Sequence, residues 1–253
     1  MVSLDPIPDS AAAIAPTGEE RLLVIADYHA GFEAAMRYQE GIELPSRAPD
    51  RRERLLELLA RTNPDRLVIL GDLMHSIGGP GGAERGELEV LFEEVSVPVT
   101  LIKGNHDGII EELVAANPST FAGVEVSEPR GLRLGSIGFA HGHTWPSREV
   151  LRAELVCIGH EHPRVRLEDD VGGSRNERVW LRGQLTGPPF TERDEDIAWN
   201  DPELVVFPAF NELCGGTWIN VPAEEFLAPF LPSALPVGDV YLLDGTYLGE
   251  YRF

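Results

Sequence analysis

Leu101-Ile102-Lys103-Gly104-Asn105-His106-Asp107 closes an apolar run that begins at Val97. The run has the length of a buried strand, and it stops at a glycine followed by an amide, an imidazole and a carboxylate. An ending of that kind has the character of a site. Asn105 offers a neutral oxygen to a cation, and His106 can hold or release a proton near neutral pH.

Four other apolar runs end in the same chemistry. Leu22 to Ala26 runs into Asp27-Tyr28-His29, where residues i and i+2 share a face and reach one point beyond the strand. Leu67 to Leu70 ends in Gly71-Asp72-Leu73-Met74-His75, and Ile137 to Ala140 in His141-Gly142-His143. Glu154 to Ile158 ends in Gly159-His160-Glu161-His162. All seven histidines lie within a few residues of such an end, and none lies inside an expected helix.

The donors are oxygen and nitrogen without cysteine, a set that suits Mn²⁺, Fe or Zn²⁺ in a five- or six-coordinate site more than structural zinc. Two Asp, one Asn and four His exceed the needs of one ion. Two ions sharing a carboxylate, ~3.5–4 Å apart, would use them all.

Between these ends the pattern alternates strand and helix. Helices are expected over 50–62, stopped by Asn63-Pro64, over about 84–95 after a glycine-rich loop, and over about 108–116, stopped by Asn117-Pro118. Residues 11–15 are expected as an edge strand on Arg21 to Ala26. This first half reads as largely parallel α/β. Afterwards Val124–Val126, Leu132–Leu134 and Ile137–Ala140 stand at hairpin spacing, and Val165–Leu167 faces Arg178–Leu181 across the loop 168–176. Val205–Phe210 and Val240–Leu243 read as closing strands. We read one domain over 1–253, with residues 1–10 loosely held and 191–203 an acidic surface excursion.

Length and composition permit such a domain and narrow its class. The 253 residues carry 42 acidic and 21 basic side chains, net −21, and Lys103 is the one lysine. A carboxylate-rich surface of that kind suits a halophilic host, where charges are screened within ~3 Å at 1 M salt. It argues against a broad basic nucleic-acid groove, but not against nucleic acid as a substrate whose phosphates meet metal ions. Cys157 and Cys214 form neither a disulfide framework nor a zinc pattern, and Cys157 reads as a core thiol. No apolar run reaches ~18 residues and no signal segment opens the chain, so a cytoplasmic protein with no membrane partner is expected.

In order along the chain, Asp27-x-His29, Gly71-Asp72, Gly104-Asn105-His106-Asp107, His141 and Gly159-His160-x-His162 resemble the five motifs of the calcineurin-like metallophosphoesterase superfamily. The stretch Ala26 to Glu33, with Pro208-Ala209-Phe210-Asn211 and Gly215-Gly216, is similar to the DNA ligase-associated phosphoesterase group and its archaeal relatives. The resemblance implies an α/β fold, a four-layer α-β-β-α sandwich of two mixed sheets with metals at the strand ends. It implies that Asp27, His29 and His162 hold one divalent ion, foremost Mn²⁺, and that Asn105, His141 and His160 hold the other, with Asp72 bridging. A hydroxide between the ions would attack phosphorus, His106 would contact the phosphate or protonate the leaving oxygen, and Asp107 would orient His106. The implied substrate is a phosphodiester of DNA or a nucleotide, with DNA-repair partners. A small-molecule phosphomonoesterase is the alternative, and a scaffold without catalysis is disfavoured because every ligand is present.

Single positions keep ordinary readings. Asp27 and Asp72 could cap helices and Asn105 could form a turn. His75 and His143 are expected to orient a ligand or to be loop residues, and Glu33 to match the subfamily or to be a solvated first-turn carboxylate. Trp145 packs or stacks a base. Lys103 touches acidic neighbours or phosphate.

Overall fold

The apolar runs become strands because both of their faces are covered. A computed structural model of the chain describes residues 3–169, 171–221 and 225–253. Its first sheet orders β1 (Asp5–Pro6), β2 (Ala12–Pro16), β3 (Arg21–Ile25), β4 (Arg66–Ile69), β5 (Val99–Ile102) and β6 (Val124–Ser127) side by side. β3 to β6 are parallel, whereas β1 and β2 run antiparallel. The crossovers hold α1 (Phe32–Ala35), α2 (Ala48–Thr62), α3 (Gly82–Glu94) and α4 (Ile110–Ala116). Asn63 ends α2 in the left-handed region, φ 44°, with Pro64 behind it, as expected of that pair.

The second sheet contains β7 (Leu132–Leu134), β8 (Ile137–Ala140), β9 (Leu155–Ile158), β10 (Arg164–Glu168), β11 (Ser174–Gln184), β12 (Glu203–Val206), β13 (Val237–Leu242) and β14 (Tyr247–Arg252). Its order is β14-β13-β11-β12-β9-β8-β7, with β10 paired to β11. β8, β9 and β12 are parallel.

Side-chain alternation makes three buried layers from these sheets. Leu22 and Val24 of β3 and Val68 of β4 point between the sheets, where Phe139, Leu155, Cys157, Val205 and Phe207 meet them. Leu23, Ile25, Leu67 and Ile69 point the other way, onto Leu55 and Leu59 of α2 and Leu88 and Leu91 of α3. On the far side of the second sheet Val156, Ile158, Leu181 and Val206 pack on Phe190, Phe230 and Leu235. That outer layer is thin, made of α5 (Arg148–Leu151), α6 (Pro188–Thr191) and turns.

Several expectations needed correction. Val124–Val126 is not part of the hairpin series; it joins the first sheet parallel to β5, because α4 supplies the crossover a parallel neighbour requires. Residues 11–15 are not the edge, since β1 lies outside them. Of residues 1–10, Leu4 and Ile7 are buried rather than loose, while Met1 and Val2 lie outside the described residues. The excursion 191–203 is anchored by Ile197 and by Trp199, whose ring stacks on Phe190 at 5.4 Å. β14 had no clear sequence signal.

Behind the first sheet's loops sits a charge that packing has fully enclosed. The Arg51 guanidinium, 1% exposed, donates to Glu87 at 2.6 and 3.0 Å and to Glu33 at 3.3 and 3.4 Å, and lies over the Tyr28 ring. Glu33 is therefore an enclosed ion-pair partner, not a solvated carboxylate. Replacing Arg51 by Leu strands two buried carboxylates, and urea unfolding should show a loss of about 3–5 kcal/mol. Arg148→Ala, which breaks an exposed pair with Asp194, should leave the urea midpoint nearly unchanged. Similar losses for the two variants would contradict this account.

Candidate metal centre

Parallel strands in register deliver their C-terminal ends to one rim. Ile25 pairs with Ile69 in the first sheet, and Ala140 with Ile158 in the second. The next residues along each strand are therefore Asp27, Asp72 and Asn105 on one side and His141, His160 and His162 on the other. The chain turns sharply there. Of eight non-glycine residues with positive φ among those described, five are Asp27, His29, Asp72, His160 and His162. Left-handed backbone is tolerated best by Asp, Asn and His, and its concentration at one rim marks a functional site. Gly104 is needed for a different reason: a Cβ there would fall on the Asp72 main chain and carboxylate.

The Asp72 carboxylate is the centre of the cluster. Its Oδ1 accepts the His106 N–H at 2.9 Å. Its Oδ2 lies 3.4 Å from His141 Nε2, 3.7 Å from His29 Nε2 and 3.9 Å from His106 Nε2. Asp27, also buried, accepts the His160 N–H on both oxygens at 3.1 and 3.2 Å, and its Oδ1 is 3.2 Å from His162 Nε2. Asn105 Oδ1 is 3.1 Å from His141 Nε2.

Backbone carbonyls decide which ring nitrogen faces inward. His141 Nδ1 donates to Leu70 O at 2.7 Å, and His162 Nδ1 donates to Gly215 O at 2.9 Å. A carbonyl only accepts, so each Nδ1 carries the proton and each Nε2 presents a lone pair when the ring is neutral.

Burial and close charge together shift the proton affinities. Burial raises the Asp72 pKa, but the facing His141, His29 and His106 rings overcome it and keep the carboxyl well below the usual range. Burial opposes charge on His141, yet Asp72 and Asp27 raise it to about 9. His160 goes down to about 3 and His143 to about 4, through burial and then repulsion from His141. Burial, with Asp72 nearby, raises Asp107 to about 6.

The donor set fits divalent cations. Asp27, His29 and Asp72 place one donor atom each within 4.8 Å of one another, and so do Asp72, His141 and His160. His29 Nε2 and His162 Nε2 are buried without any hydrogen-bond partner, which a Lewis acid would supply.

The calcineurin-like phosphoesterase profile matches residues 20–206. The chain belongs to the calcineurin-like phosphoesterase family. It is thus a hydrolase of phosphoric esters, built on the family's two mixed sheets. No curated protein matches the chain. Among solved structures, Pseudomonas putida nuclease MPE is similar with a TM-score of 0.54 and 21% identity, over 96% of this chain and 98% of its own. Yfce, a phosphoesterase from E. coli, gives a TM-score of 0.39 and 16% identity, over 91% of this chain and 98% of its own. The first of these likenesses speaks for the fold alone.

All seven expected ligand residues and His106 converge on this phosphoesterase rim. The expected role of Asp107 needs correction, because it does not touch the His106 ring. His106 Nδ1 instead donates to the His75 carbonyl, while Asp107 accepts Met74 N–H at 3.0 Å and Gly104 N–H at 2.9 Å. His75 Nδ1 stands 3.2 Å from His29 Nδ1, beside the expected ligands. His143 lies against His141 and His160, with ring centroids at 5.2 and 6.0 Å. Trp145 packs on Phe190 and Phe230 under Arg193. Lys103 binds Glu111 at 2.7 Å. Sequence reasoning missed Cys214, whose Sγ is within 4.8 Å of donors on His29 and His162, and the Asn211 amide, which donates to His29 O at 3.4 Å. Asn211 stands in the quoted Pro208–Asn211 stretch; Cys214 carried no signal.

With a pKa of about 9, His141 is protonated in the metal-free protein at neutral pH. Its raised value stabilises the metal-free fold fully below pH 6.5, and that contribution fades as pH rises through 9. A cation held by His141 Nε2 would displace this proton. Titration calorimetry of Mn²⁺ binding in buffers of differing ionisation enthalpy should therefore show release of about one proton at pH 7. Affinity should climb from pH 7 toward 9; a flat profile would contradict the assignment.

Proposed function

We propose that this phosphoesterase uses two divalent cations, foremost Mn²⁺, to hydrolyse phosphodiester bonds in DNA or nucleotides. Asp27, His29 and His162 would hold one ion and Asn105, His141 and His160 the other, with Asp72 shared. The observation that carries the reading is the position of Asp72, whose carboxylate lies among donors from both sheets. Bound there, a pair of cations would lower the pKa of water and neutralise charge at phosphorus.

The remaining chemistry belongs to the chain. The His106 ring is aimed by the His75 carbonyl, so Nε2 faces the centre and can pass a proton to the leaving oxygen. Asp107 anchors the Gly104 turn and Met74, which keeps Asn105 and His106 in place. The substrate class follows from the resemblance to the ligase-associated group, and DNA-repair partners are proposed on the same ground. The acid-rich, lysine-poor composition supports a halophilic setting. No helix among the described residues is long and apolar enough to cross a membrane.

His106→Ala should lower kcat on bis-p-nitrophenyl phosphate by about 10²–10⁴ while metal content by mass spectrometry is retained. Asp72→Asn should lose both metal and activity. A manganese-supplemented comparison in high salt should rank bis-p-nitrophenyl phosphate and single-stranded DNA above p-nitrophenyl phosphate. Preference for the monoester would favour the phosphomonoesterase reading instead.

A further inference from the structure

A groove of about 620 Å³ opens from the metal centre on the side of His75 and His106. These two rings stack, with centroids at 5.3 Å and planes 18° apart. At the outer end a single π-helical turn, Met36–Glu40, carries Tyr38, which is 83% exposed. Single π-helical turns are rare and recur at functional sites. Tyr38 is unlike most tyrosines in this fold, because its ring covers no part of the core. It lines the groove together with the loop 78–82 and the exposed Ile77.

The groove wall indicates what fits it. A Cβ on Gly78, Gly81 or Gly82 would meet nothing within 4 Å, so packing does not demand glycine at those positions. Bare backbone there leaves the groove wide and its amides open to an occupant. Among the described lining residues the one carboxylate is Glu84, which is buried and accepts the His75 and Ser76 N–H groups on Oε1. Among the described lining residues there is no lysine or arginine. The groove offers an aromatic face, an apolar side chain and neutral hydrogen-bonding groups. The exposed Tyr38 ring and the neutral hydrogen-bonding groups beside it suit a flat, hydrogen-bonding group.

We propose that this groove receives the leaving nucleoside of the ester, its base stacked on Tyr38 and its departing oxygen at His106. The inference rests on the phosphodiesterase reading above and assigns Tyr38 as a specificity residue. Base–aromatic stacking, measured by alanine substitution, is large enough to read kinetically.

The test compares kcat/KM of the Mn²⁺-loaded enzyme on a deoxydinucleoside monophosphate and on two analogues, each lacking one base. Tyr38→Ala should lower kcat/KM about tenfold on the intact dinucleotide and on the analogue that keeps the leaving-side base. It should lower it far less on the analogue lacking that base, and Tyr38→Phe should behave as the wild type does. Equal losses on all three substrates, or none on any, would overturn the inference. Hydrolysis of bis-p-nitrophenyl phosphate but of no dinucleotide would also overturn it, while leaving the diesterase reading intact. If no diester is hydrolysed, the reading and the inference fall together.

Discussion

A buried carboxylate must be neutralised where it stands, and at Asp72 that requirement organises the protein. Enclosing an ionised group without partners costs far more than a fold of this size can spare. Asp72 meets the condition with three imidazoles within 3.9 Å and one backbone N–H. The imidazoles come from separate strand ends, so the two sheets must stack with their parallel segments pointing to one rim. The chain also has to turn back at once, and five site residues do so with left-handed backbone. Each such turn costs on the order of 1–3 kcal/mol, which the apolar layers behind the rim offset.

A second set of buried acids holds the loops. Glu84 accepts His75 N–H at 2.6 Å, Glu87 accepts Gly31 N–H at 2.8 Å, and Asp107 accepts Met74 and Gly104. Glu161, between His160 and His162, accepts Ala228 N–H at 2.6 Å and the Thr217 hydroxyl, and so ties the 217 and 228 loops to the rim. Part of the acidic excess is therefore internal scaffolding. For a chain of net charge −21 the long-range field repels phosphate, and concentrated salt screens that field to a few ångströms.

Much of this was legible in the order of residues. Continuous apolar runs at Leu22–Ile25 and Leu67–Leu70 report strands covered on both sides, and polar donors at their ends report a rim. The convergence of Asp27, His29, Asp72, Asn105, His141, His160 and His162 could be expected because each follows a strand end within four residues. The outer β14 and the sheet membership of Val124–Val126 could not be read, since short half-buried strands carry little periodicity and pairing depends on remote partners.

By itself the sequence determined the central apolar strands, the donors at their ends and the family. Only the tertiary structure decided that the His75 carbonyl, not Asp107, aims His106, and that Glu33 is paired inside with Arg51 instead of facing water. It also brought Cys214 beside His29 and His162 and left Tyr38 standing over an open groove. The reason is physical. Periodicity records whether a side chain faces in or out, whereas hydrogen bonds between loops depend on ångström-scale distances that exist only once the sheets have packed.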